Sequence, residues 1–478
     1  MQDAGLDGGA SVDADIDAGR DGAGAGFDAG VDAGCPEGAA CAGGVCRLEA
    51  CCTGCWDGVA CRTGDELAAC GAGGGACLGC DDAHACSDDS CVAGACVNAP
   101  RADGEACGVG RECWSDACSF VFRDPVGGRR AGGHVSLGPD ATGDGVPDVA
   151  VSWAAVTPWD VPPPVVESVV ELRSGADGAL VWSVTVDEME VDGAGVNVSL
   201  GPDADGDGLG DVLTSGRVSP TGSATLFAGT DGTVIRTWVG DASRLVGHES
   251  MLVDDYDGDG LADPMFTVRR IPLPYDTDWV LEVRSGVTDS LIRIFGPFFL
   301  SSREQVRAGA DADGDGLTDV IVAVPLHMGP FAASVLSGAS GEPLGRRFWD
   351  VGAEPVANVP DIDGDGLGEA VLTMSTDLVA AAVMTPTEHW RVAVDAVRTI
   401  DAGPDADGDA VADLALTYWG VLSRLDLRSG ATGAVFRTWH DQILTASLGP
   451  DVDADGRADL AYYDSTALLF VLSPSREW

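Results

Sequence analysis

From about residue 119 onward, short apolar runs alternate with segments rich in Gly, Asp and Pro. The runs are rich in Val, Leu and Ala, and most are about four to eight residues long, the length of a strand. Turn-forming residues bound them on both sides. The pattern therefore predicts an all-β domain over residues 119–478.

A nine-residue pattern, D-x-D-x-D-G-x-x-D, recurs in this domain at intervals of 44 to 63 residues. The seven copies begin at Asp140, Asp203, Asp255, Asp311, Asp361, Asp405 and Asp451. A short segment ending in Gly precedes most copies, and an apolar run follows each. Most units then carry a third run ending in Ser-Gly and a fourth ending near an aromatic residue, which we expect to pack between units.

Four short strands per repeat, repeated seven times, predict a seven-bladed β-propeller. The last unit holds only two or three strands before the chain ends. The segment Phe120-Val-Phe-Arg123 resembles the fourth-strand segment Ala434-Val-Phe-Arg437. We therefore expect residues 120–123 to pair with residues 468–472 and to supply the outer strand of blade seven, which leaves no free edge at the seam.

The repeated loop has the oxygen donors that calcium requires. Calcium takes six to eight oxygen ligands, and carboxylates at positions 1, 3, 5 and 9 plus the backbone carbonyl at position 7 can surround it. Gly at position 6 allows the sharp turn because it reaches positive φ without a Cβ clash. The sequence thus predicts up to seven structural Ca²⁺ ions. The predicted ligand positions are Asp140, Thr142, Asp144, Val146 and Asp148; Asp203, Asp205, Asp207, Leu209 and Asp211; Asp255, Asp257, Asp259, Leu261 and Asp263; Asp311, Asp313, Asp315, Leu317 and Asp319; Asp361, Asp363, Asp365, Leu367 and Glu369; Asp405, Asp407, Asp409, Val411 and Asp413; and Asp451, Asp453, Asp455, Arg457 and Asp459.

Three loops depart from the pattern. Thr142 replaces the position-3 carboxylate, Glu369 replaces the position-9 Asp, and Ala410 replaces the turn Gly, where positive φ costs on the order of 1 kcal/mol. We expect the first and sixth loops to bind calcium most weakly. One such loop alone could be a tight acidic turn, but seven in register favour metal. EF-hands and dockerins are excluded because strands, not helices, follow the loops.

The domain resembles the FG-GAP repeats of integrin α chains. That family has a Gly-containing strand, the acidic loop, and an apolar strand running into Gly-Ala-Pro. Residues 352–361 match the first part and Ala323-Val-Pro325 approaches the last, whereas the Phe-Gly and Gly-Ala-Pro hallmarks are eroded elsewhere. The resemblance implies a seven-bladed propeller with metal loops on one face and ligand binding on the opposite face.

The candidate ligand-binding rim follows from strand order. If the metal loop joins the first and second strands, the loop between the second and third strands lies at the opposite face. Two of these loops are long and carry Pro and aromatic residues, which give contact area at low entropic cost. The predicted rim residues are Trp159, Arg269, Arg270, Tyr275 and Trp279. The alternative is that both loops are ordinary insertions.

Charge restricts the partners. The formal net charge is −50, and all 27 basic residues are Arg. Nucleic acid and anionic membranes are excluded, because either requires a basic face. A P-loop is excluded because it needs Lys. No membrane span is predicted, since Pro325 and Pro330 interrupt the one long uncharged stretch, Val320 to Gly341.

The N-terminal part divides in two. Residues 1–34 are nearly all Asp, Ala and Gly and predict a disordered acidic linker that could tether the protein to a surface. All 16 cysteines lie in residues 35–118, which predicts a disulfide-rich domain and an extracellular or cell-surface location. A zinc site at the Cys52/Cys55 and Cys77/Cys80 pairs, with His84, is the alternative. No export signal is recognisable, so we expect it to have been removed.

The predicted function is that of an exported, calcium-stabilised adhesion or ligand-binding module for an unidentified protein or glycan. One alternative is a secreted polysaccharide-acting enzyme, a lyase or hydrolase; another is a purely structural surface protein. We expect no catalytic residue, because the six His are scattered and no G-x-S-x-G motif occurs. An uncovered basic–acidic cluster in the central channel would favour the enzyme, whereas Arg and aromatic residues on the metal-free rim would favour binding.

Overall fold

The computed structural model of the chain is an all-β protein, and its described residues contain no helix. The structure describes residues 45–472 except 48–49, 74, 83–84, 103, 109–110, 115–116, 124–129, 157–165, 189–195, 217–220, 271–277, 300–305, 326–330, 352–355, 375, 420–423, 441–442 and 465–467. The chain divides into two compact units, Met1–Pro100 and Arg101–Trp478. The predicted linker, residues 1–34, lies outside the described residues.

The first unit consists of short hairpins joined by disulfides. Its strands are β1 (Val45–Arg47), β2 (Ala50–Cys52), β3 (Cys55–Trp56), β4 (Cys61–Arg62), β5 (Asp65–Glu66), β6 (Ala69–Cys70), β7 (Ser87–Val92) and β8 (Ala95–Pro100). Disulfides join Cys55 to Cys77, Cys70 to Cys91 and Cys80 to Cys96. No cysteine among the described residues is free. The disulfide prediction is confirmed for this part of the chain, and the zinc alternative is wrong because Cys55, Cys77 and Cys80 have no thiolate to offer.

The second unit is a seven-bladed β-propeller, as the repeats predict. Six blades are four-stranded antiparallel sheets in chain order, and the seventh sheet has the order β36-β37-β38-β11-β10-β9. The strands before the first blade are β9 (Ala106–Gly108), β10 (Arg111–Trp114) and β11 (Ala117–Arg123). Blades one to three comprise β12 (Arg130–Leu137), β13 (Val149–Val156), β14 (Val166–Arg173) and β15 (Leu180–Glu188); β16 (Asn197–Gly201), β17 (Asp211–Gly216), β18 (Ser223–Phe227) and β19 (Val234–Val239); and β20 (Arg244–Val253), β21 (Asp263–Arg270), β22 (Asp278–Arg284) and β23 (Leu291–Phe299). Blades four to seven comprise β24 (Val306–Ala308), β25 (Val320–Pro325), β26 (Phe331–Leu336) and β27 (Pro343–Val351); β28 (Val356–Val359), β29 (Glu369–Met374), β30 (Asp377–Ala382) and β31 (Glu388–Ala393); β32 (Val397–Gly403), β33 (Asp413–Tyr418), β34 (Leu425–Arg428) and β35 (Val435–Trp439); and β36 (Ile443–Gly449), β37 (Asp459–Asp464) and β38 (Leu468–Leu472).

The first strands of the blades form the inner ring. Each contacts the first strand of the next blade, and β12 contacts β36, so the ring closes. Side chains on these strands accept hydrogen bonds from the neighbouring backbone: Leu137 N–H donates to Ser447 Oγ at 3.2 Å, and Leu200 N–H donates to Ser136 Oγ at 3.0 Å. An apolar cluster fills the space between each pair of consecutive sheets.

The seam lies where the sequence predicts it. Phe120 pairs with Val471 and Arg123 pairs with Leu468, so β11 is the outer strand of β36–β38. Phe120 is buried in the cluster that joins blades seven and one. Residues 101–118, assigned to the Cys-rich domain by composition, belong to the propeller unit, because β9 and β10 extend the same sheet.

Aromatic residues of the fourth strands contact the next blade, as expected. Trp182 Nε1–H donates to the Gly229 carbonyl at 2.7 Å, and the Trp182 ring lies 5.9 Å from that of Phe227. Trp439 lies 6.4 Å from Tyr462 in the same way. These aromatic side chains are therefore packing elements between blades.

Candidate metal centres

Each acidic loop connects the first and second strands of its blade, so all seven lie at the same end of the propeller. The carboxylate at position 1 organises the backbone. In every loop one of its oxygens accepts a hydrogen bond from the position-6 N–H; these donors are Gly145, Gly208, Gly260, Gly316, Gly366, Ala410 and Gly456. The position-7 N–H in turn donates to the position-5 carboxylate, as Leu317 does to Asp315 at 2.9 Å. The loops therefore share one conformation.

The carboxylate at position 9 opens or immediately precedes the second strand and is buried. Its exposed fraction is 0% at Asp211 and Asp319, and 1% at Glu369. In every loop it accepts a hydrogen bond from the position-2 N–H, as in Ala204 to Asp211 at 2.8 Å. In five loops its other oxygen accepts from a Gly N–H in the turn between the third and fourth strands; these donors are Gly175, Gly229, Gly286, Gly338 and Gly430.

Burial and neighbouring carboxylates make the position-9 carboxyl groups difficult to ionise. Burial is the larger cause, and it raises the pKa to about 6 at Asp211, Asp263, Asp319 and Asp413. The pKa of Glu369 rises to about 7 for the same reason. A dication among these groups would favour the ionised form, because its charge opposes both effects.

The position-1 carboxyl groups behave differently. Burial acts to raise their pKa, but the N–H groups at positions 6 and 4 outweigh it and hold the pKa of Asp140, Asp311 and Asp361 below the ordinary value. Each loop therefore combines a position-1 carboxylate held by backbone donors with a buried position-9 carboxyl group.

The residues present fit a hard dication. One ligand oxygen from each of Asp361, Asp363, Asp365 and Glu369 lies within 4.8 Å of the others. In blade seven, Asp459 is 2% exposed, and its Oδ1 has no hydrogen-bond partner in the part of the chain that the structure describes. A buried carboxylate oxygen without a partner is costly, and a cation bound by the loop would satisfy it. When bound, calcium would supply the positive charge that these carboxylates lack.

Consecutive loops contact one another. In four loops the position-8 N–H donates to the position-1 carbonyl of the preceding loop, as in Gly210 to Asp140 at 2.8 Å and Gly368 to Asp311 at 2.7 Å. In four pairs of loops the position-7 side chain lies over the position-4 Gly of the preceding loop, as Leu209 does over Gly143. Occupancy of one loop would therefore help to order its neighbour.

Three loops contain a structural irregularity. Ala410 adopts φ 68°, the positive value that the sequence predicts. Ala454, at position 4 of the seventh loop, adopts φ 60°, a requirement that the sequence analysis missed although every other loop has Gly there. Thr142 donates its N–H to Asp140 Oδ1 at 3.0 Å and adds no carboxylate.

Sequence analysis also missed three features: the hydroxyl groups of the Ser-Gly turns, His389 and Arg307. Ser337 Oγ donates to Asp315 Oδ2 at 3.0 Å, so the recurrent Ser-Gly turn bonds to its loop through the hydroxyl as well as the amide. The Ser-Gly repetition was the available signal. His389 lies beside the fifth loop, and Arg307 lies in the channel; no local motif marked either residue.

The inner ring of first strands, which borders the channel, contains a basic–acidic cluster, but its Glu249 is only 5% exposed. Arg307 Nη1 lies 3.5 Å from Glu249 Oε2, and both residues are on first strands. Asp401, on the first strand of blade six, accepts the Leu448 N–H at 2.9 Å. Burial raises the pKa of Asp401 to about 6, while the Leu448 N–H and the charge of Arg307 act in the opposite direction.

The structure describes part of the predicted rim. Arg269 near the end of β21 and Trp279 near the start of β22 are cross-strand partners, and the Arg269 guanidinium lies 5.9 Å from the Trp279 ring centroid. The backbone of Arg270 pairs with Arg244. Trp159 and Tyr275 lie outside the described residues. The strands β13 and β21 end, and β14 and β22 begin, on the side of their sheets opposite the acidic loops.

No protein-family model and no curated protein matches this chain. Solved structures share its fold. A chain of the crystal structure of BBS1N in complex with ARL6DN, soaked with mercury, is 9% identical with a TM-score of 0.50, and the match covers 75% of this chain and 97% of that chain. The exotype rhamnogalacturonan lyase YesX is 14% identical with a TM-score of 0.43, covering 74% of each chain. At such identities the likeness is one of fold alone.

Proposed function

We propose that this protein is an exported propeller that binds calcium as a structural ion and uses the opposite face as an adhesion or ligand-binding surface. One observation carries the proposal: all seven acidic loops, at one end of the propeller, combine a position-1 carboxylate held by backbone N–H groups with a nearly inaccessible position-9 carboxyl group. Repetition of the same buried carboxyl group in every loop favours a compensating cation, and calcium is the dication whose oxygen preference and flexible coordination suit such loops.

The resemblance to FG-GAP repeats supports the placement of the ligand face. On that face Arg269 is paired with Trp279. Together they offer a cation and an aromatic surface on a chain of net charge −50. An aromatic ring beside a guanidinium suits the hydroxyl-rich faces of a glycan or an acidic protein loop.

Export is supported by the disulfides, which persist in oxidising compartments. The described part of the chain contains no helix long and apolar enough to cross a membrane. Together with the acidic N-terminal segment, these features suit an extracellular or surface-tethered protein.

The test has two arms, both with the full chain. Equilibrium dialysis with ⁴⁵Ca²⁺ should give several bound ions per chain, with dissociation constants of about 10⁻⁴–10⁻³ M as in extracellular modules. Screening glycan and matrix-protein arrays with and without calcium should then identify a ligand whose affinity falls when Arg269 and Trp279 are replaced by Ala. Absence of calcium binding at 10-fold these concentrations would overturn the calcium assignment; a calcium-binding protein with no rim-dependent ligand would overturn the adhesion role.

A second candidate, a polysaccharide lyase, is favoured by the channel cluster. Lyases that act on uronic acids need a cation near the sugar carboxylate and a base to remove the adjacent proton. Arg307 and Asp401 supply one of each. If this candidate is correct, acidic polysaccharides will gain ultraviolet absorbance from new carbon–carbon double bonds, and Arg307→Ala and Asp401→Asn will abolish the signal. No signal with wild-type protein across a panel of uronic-acid polysaccharides would rule it out.

A further inference from the structure

His389 occupies a β-bulge beside the acidic loop of blade five. Ala380 pairs with Trp390 and Ala381 pairs with Glu388, so His389 is the extra residue on β31. The same bulge recurs at the equivalent point of four other blades. Its extra residue there is an apolar side chain that packs against a core cluster: Val181, Ile235, Ile292 and Phe436. Bulges re-aim side chains next to functional sites, and only in blade five among these is the re-aimed side chain a metal ligand type.

The imidazole of His389 is directed at the loop. His389 Nδ1 lies 3.6 Å from Asp363 Oδ2, and Nε2 lies 4.0 Å from Glu369 Oε1. Both distances are too long for hydrogen bonds. A transition metal would bind one imidazole nitrogen, and two ligand atoms bonded to one such ion at ~2.0–2.2 Å lie ~3–4 Å apart. One ligand atom from each of these three residues lies within 4.8 Å of the others.

One nitrogen of His389 also lacks a hydrogen-bond partner in the described part of the chain. Its side chain is only 12% exposed, and the Nε2 atom is buried with no hydrogen-bond partner among the described residues. A buried imidazole nitrogen left unpaired is costly. A bound metal ion would pair it, which makes the nitrogen evidence for a ligand independent of the acidic residues.

Glu369 is the second residue that distinguishes the blade-five loop from the other loops. In five loops the outer oxygen of the position-9 Asp accepts a Gly N–H from the turn between the third and fourth strands, which is Ser-Gly in four blades and Ala-Gly in blade two. Blade five has no Ser-Gly turn, and Glu369, one methylene longer, presents Oε1 toward His389 instead. Glu369 and His389, the two residues of blade five that depart from the repeat, therefore lie next to each other.

We infer that Asp361, Asp363, Asp365, Glu369 and His389 form a mixed nitrogen–oxygen centre that selects a first-row transition dication over calcium. Calcium is a hard ion that prefers oxygen, whereas imidazole favours zinc, cobalt, nickel and iron. The proposal goes beyond the calcium function and does not require it, because a transition ion can bind blade five even if calcium binds none of the other loops.

Cobalt(II) is the probe, because its visible absorption reports nitrogen ligation. Full-length protein, stripped of metal and held in 10 mM CaCl₂, should bind one equivalent of Co²⁺ with d–d absorption, and zinc should displace it. His389→Val should weaken Co²⁺ binding by more than about tenfold and should leave the fold intact, since Val181 occupies the same bulge in blade one. Exposed His440, changed to Val, is the matched control and should alter nothing.

Each outcome is decisive. Co²⁺ binding that is lost with His389→Val and resists calcium supports the inference. Binding that is equal in wild type and His389→Val, or that millimolar calcium displaces, overturns it. The melting temperature of His389→Val in chelator verifies folding, and Glu369→Asp gives a second variant for the same site. Failure of the calcium proposal would appear separately, as the absence of ⁴⁵Ca²⁺ binding in the same samples.

Discussion

The two units of the chain are stabilised by different means. In the described residues of the Cys-rich unit the most buried side chains are cysteines, with Cys55 0% and Cys70 1% exposed, whereas Val59 and Leu78 are 78% and 62% exposed. The propeller is the reverse: Phe266, Tyr462 and many aliphatic side chains are fully buried in seven clusters. The first unit lacks apolar material for a core, so covalent bonds replace it.

The propeller has a different weakness. Its apolar clusters bring seven sheets together, but the same packing buries a carboxyl group at the start of each second strand. We propose that bound cations offset the cost of these buried carboxyl groups, as disulfides offset the lack of a core in the first unit. Reduction of the disulfides should therefore destabilise the first unit, and removal of the cations should destabilise the propeller.

Removing calcium should have the largest effect, and it should be confined to the propeller. A site with 10-fold excess of ion over its dissociation constant gains about 1.4 kcal/mol, so the six loops other than that of blade five would add about 8 kcal/mol. For a domain of this size that corresponds to a melting-temperature change on the order of 10 °C. Calorimetry in 10 mM CaCl₂, in 10 mM MgCl₂ and in chelator measures it. An unchanged melt of the propeller in chelator would contradict the calcium hypothesis.

Reduction should affect the other unit. Each native disulfide in such a domain contributes about 2–4 kcal/mol, and the first unit has little else. Hydrogen exchange followed by mass spectrometry, with and without a phosphine reductant in calcium, should show full loss of protection in residues 53–100 and retained protection in blades one to six. Protected peptides from the reduced first unit would mean that its fold does not depend on the bridges.

The propeller's closure should depend on Phe120. This side chain is 2% exposed and lies in the cluster that includes Trp153 and Tyr463. Phe120→Ala should cost about 3–5 kcal/mol, as large-to-small changes in cores do. Leu291→Ala, at a 45% exposed position, is the control and should cost less than about 1 kcal/mol. Equal denaturant midpoints for the two variants would refute the seam as a stabilising contact.

Without calcium, the propeller should become less stable as pH rises. The folded-state pKa of Asp211 and Asp413 is about 6 and that of Glu369 about 7, against about 4 in unfolded chains. The native state holds these protons more tightly, so their contribution is present below pH ~4 and is lost as pH rises through ~6–7. Calcium-stripped protein should melt higher at pH 5 than at pH 8, and 10 mM CaCl₂ should reverse the trend. Asp211→Asn should reduce the slope, because one of the contributing groups is removed; a flat wild-type profile would show that these groups are not buried as described.

The sequence predicted the blades, the loops and the seam because each is a local pattern or a repeat of one. The residues that it missed act through contacts between distant strands. His389 is one residue of an unremarkable strand until the bulge turns it toward Glu369, 20 positions earlier. Arg307 meets Glu249 only because the ring places first strands side by side. The need for positive φ at Ala454 was visible as a missing Gly, but only position 6 was considered.

The smallest expected effect is on the calcium affinity of single loops, and it comes from the position-7 side chain of the following loop. Leu209, Leu261 and Leu367 lie over the preceding loop's position-4 Gly, but at the sixth loop the guanidinium of Arg457 stands there, beside Gly408. This charge also acts on Asp407. A positive charge ~8 Å from a dication in a water-like dielectric costs about 1 kcal/mol, or about fivefold in affinity. Arg457→Leu should therefore lower the calcium concentration at which peptides covering residues 405–413 gain hydrogen-exchange protection, and Leu209→Arg should raise it for residues 140–148. If neither midpoint moves, the side chain at position 7 has no influence on the preceding loop, and the weakness of the sixth loop must come from the backbone strain at Ala410 alone.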